Sequence, residues 1–296
     1  MDEYTAWAKV PENLKTKTQL KEMGLRPAPD QAAAAQFCSY IRGKSRPSYY
    51  DLYDLNQAQT RPQASPAQLA ALLKARSELE RRRTCQRCGV MSSRPLRHWP
   101  HCGWCSDHLT AVEWAKTVLN DPQTIILDTE TTDLNGEPVE ISIINVAGET
   151  LLNTLVKATE EISPGAMAVH GITEADLQTA PSFPDVYPEL CRIFEAAPRI
   201  IIYNASFDFG VLERARTIYT LPPFSVALFD DIWPEHVRWW RGLACAMKWY
   251  AQWYGEWSNY HKSYKWQRLD GGHRALGDCL ATLAAIKEMT HERKEP

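Results

Sequence analysis

Two carboxylates stand one residue apart where a strongly apolar stretch ends. In the segment TIILDTETTDL, residues 124–134, apolar and β-branched residues lead directly to Asp128 and Glu130. Side chains at positions i and i+2 of a β-strand point to the same face, so both carboxylates should converge on one point. Like charges held together in a buried setting are costly unless a cation lies between them. The spacing predicts a cation site at the end of a buried strand, although a single acidic pair is weak support by itself.

Two further acids and a histidine follow at points where the chain could bring them to the same place. Asp208 lies in the first turn of a predicted helix, soon after an apolar strand that ends at Asn204. His273 precedes another predicted helix, whose first turns present Asp278. Taken singly, Asp208 could be a helix cap, because helix N-termini favour anions, and His273 could be an ordinary loop residue. Together with the strand pair, the acids supply hard oxygen ligands of the kind that bind Mg²⁺ or Mn²⁺.

Four of the eight cysteines form a compact cluster. Cys85, Cys88, Cys102 and Cys105 follow the spacing C-x2-C-x13-C-x2-C. Each Cys-x-x-Cys turn can offer two thiolates to one ion, and four thiolates complete a tetrahedral zinc site. A closed site of this kind has no open coordination position, so we expect one structural Zn²⁺ and no catalysis there.

Basic and aromatic residues surround the cysteine cluster: Arg81, Arg82, Arg83, Arg87, Arg94, Arg97 and Trp99. Residues 1–120 hold 18 Lys and Arg against 11 Asp and Glu, whereas residues 121–296 hold 15 against 25. A basic surface could contact phosphates, and an acidic one could hold cations. Two interpretations stay open for the cysteine cluster: a phosphate-contacting zinc module, or a zinc module that only stabilises the fold.

The composition is that of a soluble globular protein of 296 residues, with 44% apolar and 23% charged residues. The chain contains no apolar stretch of about eighteen residues or more, which argues against a membrane-spanning helix. Its first residues lack the basic start and apolar run of a signal peptide, and the cysteines do not point to disulfides. We therefore expect a cytoplasmic protein without a membrane partner.

Changes of pattern divide the chain into three regions. Residues 1–64 contain short helical pieces broken by proline, residues 65–121 hold a helix and the cysteine cluster, and residues 122–296 resemble one α/β domain. Strands are predicted at 124–129, 140–146, 150–156 and 199–204, and helices at 65–83, 185–197, from about 207, 235–254 and 275–290. Three strands followed by alternating helix and strand indicate a mixed sheet.

The order of the acidic motifs matches one known family. The motifs LDTETT, NASFD and HRALGD, with AVHGIT at residues 168–173, resemble those of the DEDDh exonucleases, also called DnaQ-like. The resemblance covers residues 122–290 and does not extend to residues 1–84. It implies a ribonuclease H-like fold, a mixed five-stranded sheet flanked by helices, and 3′→5′ exonuclease activity.

The resemblance also implies a role for each residue of the acidic group. Two Mg²⁺ or Mn²⁺ ions would be held there, and Asp128 would bridge both of them. Glu130 and Asp278 would complete the shell of one ion, while Asp208 would hold the other, largely through water. His273 would accept the proton of the attacking water, a role suited to a group that titrates near neutrality.

Three further residues are candidates for contact with the terminal nucleotide. They are Thr131, Asn204 and His170, the last within the AVHGIT motif. His170 could instead brace its own loop, so its role is left open.

An aromatic run leads into His273. Seven of the eleven tryptophans lie in it: Trp233, Trp239, Trp240, Trp249, Trp253, Trp257 and Trp266. Trp249, Trp253 and Trp257 are spaced four apart, which places them on one helical face and favours a role in the core. The alternative is stacking on the bases of a single strand. The candidate rings are Tyr260, Tyr264 and Trp266, and the candidate phosphate contacts are Lys262, Lys265 and Arg268.

The leading hypothesis is a metal-dependent 3′→5′ exonuclease that acts on single-stranded or frayed ends, with DNA favoured over RNA. An exoribonuclease is the nearest alternative, because no residue visibly reads the 2′-hydroxyl. A nucleic-acid-binding protein with an inactive nuclease domain is a third hypothesis, and the occupied catalytic positions argue against it. A proofreading or repair-associated subunit that binds a protein partner through residues 1–84 is the fourth.

Overall fold

The computed structural model describes residues 1–40, 46–224 and 242–293. The chain divides into two compact units, Met1–Glu78 and Leu79–Pro296, and each is considered by itself. Within the described ranges, no helix is long and apolar enough to cross a membrane.

The first unit is built on a four-stranded sheet with the order β1-β4-β5-β2. Its elements are β1 (Asp2–Tyr4), β2 (Leu14–Thr16), α1 (Lys17–Glu22), β3 (Leu25–Arg26), β4 (Ala35–Ser39), β5 (Ser48–Asp54) and β6 (Gln59–Thr60). Strands β3 and β6 form a separate antiparallel pair. Phe37 and Leu52, with Leu14 and Ala35, form a small apolar core on the main sheet.

The prediction of a helical region over residues 1–64 is wrong. Among the residues described there, α1 is the one α-helix, with two single turns of 3₁₀-helix. Strand β5 reads SYYDLYD, and tyrosine favours strands because its ring packs well on a pleated surface. Strands β1 and β2 are three residues long, too short for their alternation to be read from the sequence.

Helix α2 (Pro66–Arg83) confirms the predicted helix and its cap. The Ser65 hydroxyl accepts a hydrogen bond from the Gln68 amide at 3.2 Å, and the Gln68 side chain accepts one from the Ser65 amide at 2.8 Å. None of its side chains is buried. The division between the two units falls inside this helix, so the cysteine cluster belongs to the same unit as the α/β domain.

The second unit contains the predicted mixed five-stranded sheet, in the order β11-β10-β7-β8-β9. Its strands are β7 (Thr124–Thr131), β8 (Pro138–Asn145), β9 (Thr150–Leu155), β10 (Arg199–Ile202) and β11 (Gly242–Cys245). Strand β10 pairs in parallel with both β7 and β11, whereas β8 is antiparallel to β7 and β9. The carboxyl ends of β7 and β10 therefore lie side by side.

Helices cover both faces of this sheet. They are α3 (Gly103–Leu119), α4 (Pro164–His170), α5 (Glu174–Leu177), α6 (Phe183–Ala196), α7 (Ala205–Ile218), α8 (Ala246–Tyr254) and α9 (Ala275–Met289). Ile125 and Leu127 of β7 belong to the core shared with α6 and α7. Ile126 belongs to the opposite core, shared with α3, α8 and α9. The alternation along β7 thus assigns its even-numbered side chains to the face covered by α9.

The predicted helix over residues 235–254 is wrong at its centre. Residues 225–241 lie outside the described part of the chain, Gly242–Cys245 is strand β11, and α8 begins only at Ala246. The segment becomes a strand because it pairs with the free edge of β10. Gly255 ends α8 in a left-handed conformation, so Trp257 falls in strand β12 (Trp257–Ser258), which pairs with β13 (Ser263–Tyr264).

Candidate functional site

Three acids meet at the carboxyl end of β7. Ligand oxygens of Asp128, Glu130 and Asp278 all lie within 4.8 Å of one another. The first two share the face of Ile126, on which α9 packs, and Asp278 lies in the first turn of that helix. The sheet alternation and the position of α9 thus bring together the predicted strand pair and the predicted helix acid.

Burial and mutual repulsion disfavour the ionised forms of these acids. Burial, and then the charges of Asp208, Asp278 and Glu130, raise the pKa of Asp128 well above its usual range. Burial and neighbouring acids raise the pKa of Glu130 to about 8. Burial also raises the pKa of Asp278, although the nearby His273 opposes that shift. A positive charge bound among these carboxylates would therefore strongly stabilise their ionised forms.

Asp208 approaches the same strand from the opposite face of the sheet, near enough for its charge to raise the pKa of Asp128, but it lies outside the group of three converging carboxylates. Its buried Oδ1 accepts hydrogen bonds from the Thr129 amide at 3.0 Å and from the Thr129 hydroxyl at 2.9 Å. Thr129 points away from Asp128 and Glu130, toward α7, because it has the other parity in β7. Burial raises the pKa of Asp208 to about 6, while the bonds from Thr129 oppose that shift.

His273 lies at the entrance to α9 with its side chain exposed. Its backbone has φ = 55°, in the left-handed region that non-glycine residues seldom adopt. Its charge and its backbone amide oppose the rise in the pKa of Asp278, so His273 lies close to that carboxyl. Gly271 lies so close to Asp278 that a Cβ there would overlap the carboxylate. The loop before α9 therefore holds the histidine beside the acidic cluster.

A buried acid that the sequence analysis missed supports this loop. Glu140 on β8 is 4% exposed and faces Glu130 directly across the strand pair. It accepts hydrogen bonds from Arg274 Nε at 2.9 Å and Nη2 at 2.5 Å, and from the Ala275 amide at 2.9 Å. A lone acid within the apolar strand PVEISII was the available signal, since a buried carboxylate needs a partner.

The predicted nucleotide contacts lie around the same edge. His170 is buried at the end of α4, where its Nδ1 accepts from the Ile172 amide at 3.0 Å. Its Nε2 donates to the Thr131 carbonyl at 3.2 Å. This pattern needs the neutral ring, and burial lowers the pKa of His170. Asn204 is the N-cap residue of α7, and its side chain accepts from the Ser206 hydroxyl at 3.1 Å. His170 therefore braces the strand that ends at Thr131.

The four clustered cysteines converge as predicted. The sulfur atoms of Cys85, Cys88, Cys102 and Cys105 all lie within 4.8 Å of one another. The Cys88 and Cys102 sulfurs are 3.8 Å apart, and a tetrahedral Zn²⁺ about 2.3 Å from each sulfur would place them about 3.8 Å apart. The donor set and its spacing both fit a structural zinc ion.

The cysteine cluster is connected to the five-stranded sheet through α3, whose N-cap is Cys102. Buried His108 on α3 donates from Nδ1 to the Trp253 carbonyl at 2.8 Å and accepts from the Arg293 amide at 3.1 Å. Its ring lies between Trp104 and Trp253, with stacked centroids 5.2 and 6.0 Å away.

Several of the arginines around the cluster have structural contacts. Arg87 donates to the Arg293 carbonyl at 2.7 Å and pairs with Glu292 at 3.4 Å, and only 14% of its side chain is exposed. Arg83 donates to the Ser92 carbonyl at 2.7 Å. The expectation that Arg87 contacts phosphate therefore does not fit its position, whereas Arg82, Arg94 and Arg97 are exposed.

Comparison with known proteins shows that the chain is similar to exonucleases. A family model described as exonuclease, RNase_T, matches residues 125–286. The chain is 36% identical over 191 residues to the uncharacterized exonuclease CP81 of Escherichia phage 186, covering 60% of this chain and 92% of that protein.

Two further relatives share shorter regions. Exodeoxyribonuclease 10 of Escherichia coli is 39% identical over 92 residues, covering 30% of this chain and 40% of that protein. The DNA polymerase III subunit epsilon of Buchnera aphidicola is 32% identical over 125 residues, covering 38% of this chain and 53% of that protein. The matched region thus spans about half of each of these two relatives.

Proposed function

This chain belongs to the exonuclease family, and we propose that it is a metal-dependent 3′→5′ exonuclease acting on single-stranded or frayed DNA. The observation that carries the proposal is the convergence of Asp128, Glu130 and Asp278 at one point, with Asp208 bound to the neighbouring Thr129 on the other face of the same strand. The similarity to an exodeoxyribonuclease favours DNA. The direction of digestion follows from the resemblance to DEDDh exonucleases.

The acidic site fits two Mg²⁺ or Mn²⁺ ions. Its donors are carboxylate oxygens, which these hard cations prefer, and burial makes the ionised acids unfavourable without a positive charge. Asp128, Glu130 and Asp278 would hold one ion, and Asp128 with Asp208 would hold the other. Such ions would supply positive charge where negative charge develops as a phosphodiester is hydrolysed.

His273 is the proposed general base. Its exposed ring can meet a water molecule, and the backbone geometry at this position holds it next to Asp278. The water oxygen would bond to phosphorus while the bond from phosphorus to the departing 3′ oxygen breaks. His273 would take the proton of the water as the new oxygen–phosphorus bond forms, and the departing 3′ oxygen would take up a proton from solvent to become the 3′-hydroxyl.

Thr131, Asn204 and the loop of His170 are proposed to position the terminal nucleotide. All three lie next to the carboxyl ends of β7 and β10, where the acids converge. His170 would act indirectly, since its ring nitrogens are occupied by backbone partners. Thr131 and Asn204 would act through groups at the edge of the site.

The cysteine cluster is proposed to bind one structural Zn²⁺. Four thiolates leave no open position, and the helix that begins at Cys102 continues into the apolar core beneath the sheet. The ion would thereby fix the start of α3 against the nuclease domain.

Similarity to a polymerase III epsilon subunit favours a second candidate, a proofreading subunit with a protein partner bound through residues 1–84. Both candidates would hydrolyse DNA by the same chemistry. They are distinguished by whether the purified chain degrades DNA efficiently without a partner. A nuclease that is weak alone and is stimulated by a polymerase would support the second.

The decisive experiment uses strands of DNA and RNA labelled at either end, with Mg²⁺, Mn²⁺ or no divalent ion. Stepwise shortening of 5′-labelled DNA, only with a divalent ion, is expected from the wild-type protein and not from Asp128→Ala. The surface variant Glu195→Ala serves as the matched control, because Glu195 is an exposed acid. Preferential digestion of RNA, or release of label from the 5′ end first, would contradict the proposal.

A further inference from the structure

The β12–β13 hairpin and the segment that follows it in sequence form a surface beside the active site. The proposed hydrolysis does not involve this surface. We propose that residues 257–268 bind the single strand just upstream of its 3′ end, with bases stacked on Trp266 and Tyr260. This inference rests on the proposed nuclease function and names how its polymer is held.

The structure separates the packing rings of the aromatic run from the exposed ones. Trp253 is 3% exposed, and Trp249 stacks on Trp114 with ring centroids 5.1 Å apart. By contrast, Tyr260 is 90% exposed and Trp266 is 70% exposed. Large aromatic rings exposed to this degree gain little by packing in the folded chain, and they offer flat faces on which unpaired bases can stack.

The exposed Trp266 lies close to the acidic cluster along the chain. The next residue, Gln267, is anchored by its carbonyl, which accepts from the Tyr203 hydroxyl at 2.6 Å. Tyr203 directly precedes Asn204, at the carboxyl end of β10. A few residues further on, Gly271 packs against Asp278. Five residues span at most about 18 Å, so Trp266 lies within about that distance of Gly271.

Charge on this surface suits a phosphate backbone. Lys262 and Arg268 are exposed on either side of Trp266 in sequence. Lys265 pairs with Glu256 and is therefore largely neutralised. Because the acids of the active site repel phosphates, a polyanion needs local positive charge to approach it. Asp270 is the opposing exposed acid, and it lies on the side of the segment nearer the active site.

Hydrogen bonds hold the hairpin in place, and they do not involve the exposed rings of Tyr260 and Trp266. The Lys262 amide donates to the Ser258 carbonyl at 2.9 Å across the turn. The Tyr264 hydroxyl donates to Asp107 on α3 at 2.8 Å. Tyr264 is thus an anchor, and the earlier alternative that it stacks on bases does not fit. A pre-ordered platform binds a strand at lower entropic cost than a mobile one.

The test measures two substrates that differ only in whether they can reach the hairpin. The first is a fluorescent oligothymidylate, whose binding is followed by anisotropy in buffer without divalent ions. The second is the p-nitrophenyl ester of thymidine 5′-monophosphate, which is a single nucleotide. For Trp266→Ala, binding of the oligothymidylate should weaken by about 5- to 150-fold, the range for one stacked base. Hydrolysis of the ester should be unchanged.

Three comparisons sharpen this result. Trp266→Phe should keep most of the affinity because it keeps a stacking face, and Tyr260→Ala should weaken only the longer oligothymidylates. Tyr40→Ala, which removes a 78% exposed ring from the first unit, should change nothing. Oligouridylates measured in parallel report whether the platform tolerates RNA.

Failure of the base-stacking platform and failure of the proposed nuclease function would give different results. Equal losses on the oligomer and on the single nucleotide would mean that the hairpin is only structural, and unchanged oligomer affinity in Trp266→Ala would exclude the platform. Either result would leave the nuclease assignment intact. A wild-type protein that hydrolyses neither substrate with Mg²⁺ or Mn²⁺ would instead overturn the proposed function.

Discussion

Arg274 donates two hydrogen bonds to the buried carboxylate of Glu140. Arg274 directly follows the proposed general base His273 in sequence. The pair joins β8 to the start of α9 across 134 residues of sequence. It also places a guanidinium beside Glu130, which faces Glu140 in the strand pair. Two acids in direct opposition would otherwise destabilise the sheet. A structural ion pair therefore positions the catalytic loop and reduces repulsion within the acidic site.

Substitution Glu140→Ala should lower the free energy of unfolding by about 1–3 kcal/mol, because the Ala275 amide loses its acceptor. Arg274 is half-exposed and can turn to water, which limits the cost. Displacement of His273 should lower kcat by up to about 100-fold with little change in KM. Urea unfolding and steady-state kinetics measure the two effects, and Glu140→Gln should fall in between. Glu189→Ala, which breaks a surface pair with Arg192, is the control and should be nearly neutral.

Substitution His273→Ala should lower kcat by about 10²- to 10⁴-fold, the usual contribution of a general base. Stability should stay close to wild type, because the side chain is exposed and has no buried contacts to lose. Single-turnover hydrolysis of a labelled oligonucleotide, with thermal unfolding in parallel, tests this. His98→Ala removes another exposed histidine and should retain full activity. A fully active His273→Ala enzyme would remove this residue from the mechanism.

Substitution Asp128→Asn should abolish activity and yet stabilise the protein in the absence of divalent ions. The reason is that burial and like charges raise the pKa of Asp128, so its ionised form carries a penalty of about 1.4 kcal/mol per unit of that rise, which the neutral amide avoids. The measurement is urea unfolding after dialysis against buffer without divalent ions. Addition of Mg²⁺ should then stabilise the wild type more than the variant. Glu195→Asn, at an exposed position, should show neither effect.

Substitution Cys88→Ser should release zinc and lower the thermal midpoint, because three thiolates and a hydroxyl bind this ion more weakly. The measurement is zinc content by mass spectrometry of the purified protein, with thermal unfolding. Cys191→Ser, outside the cluster, is the matched control and should keep one zinc per chain. A wild-type protein that folds normally with no bound metal would contradict the zinc assignment.

His108 should make the folded protein less stable as the pH drops below neutrality, an effect opposite in sign to that of the buried acids, whose pKa values are raised. Burial lowers the pKa of His108, so the unfolded chain takes up a proton at a higher pH than the folded protein. Its contribution is complete above about pH 6.5 and is lost as the pH falls below that value. Urea unfolding between pH 5 and 8 should show that His108→Gln gains stability relative to wild type as the pH falls, because the variant lacks this contribution. The exposed His98→Gln should follow the wild type.

Local spacing was sufficient to predict the acids and the cysteines. Asp128 and Glu130 were identified because a strand repeats every two residues, and the four cysteines because two short turns carry the metal ligands. Four of the five strands of the central sheet also followed from apolar runs. Contacts distant in sequence could not be predicted in this way. The Glu140–Arg274 pair and the Arg87–Glu292 pair each join segments that no local pattern connects.

The first unit escaped prediction for a related reason. Its strands β1 and β2 are three residues each, and they become strands only through pairing with β4 and β5. Strand β11 was missed for the same reason. Its sequence has a helical pattern, and it becomes a strand only through pairing with the edge of β10. Tertiary pairing outweighs local propensity in such short segments.

The alternation along β7 makes nuclease activity a reporter of strand register. One parity of side chains supplies Ile126 and the two acids, and the other supplies core residues and Thr129, the partner of Asp208. A slip of one residue would turn both carboxylates into the apolar core and Ile125 toward the position of the acidic cluster. Insertion or deletion of a single residue within Thr124–Asp128 should therefore abolish activity even in molecules that remain folded, so turnover reports the pairing of this strand more sensitively than bulk spectroscopy does.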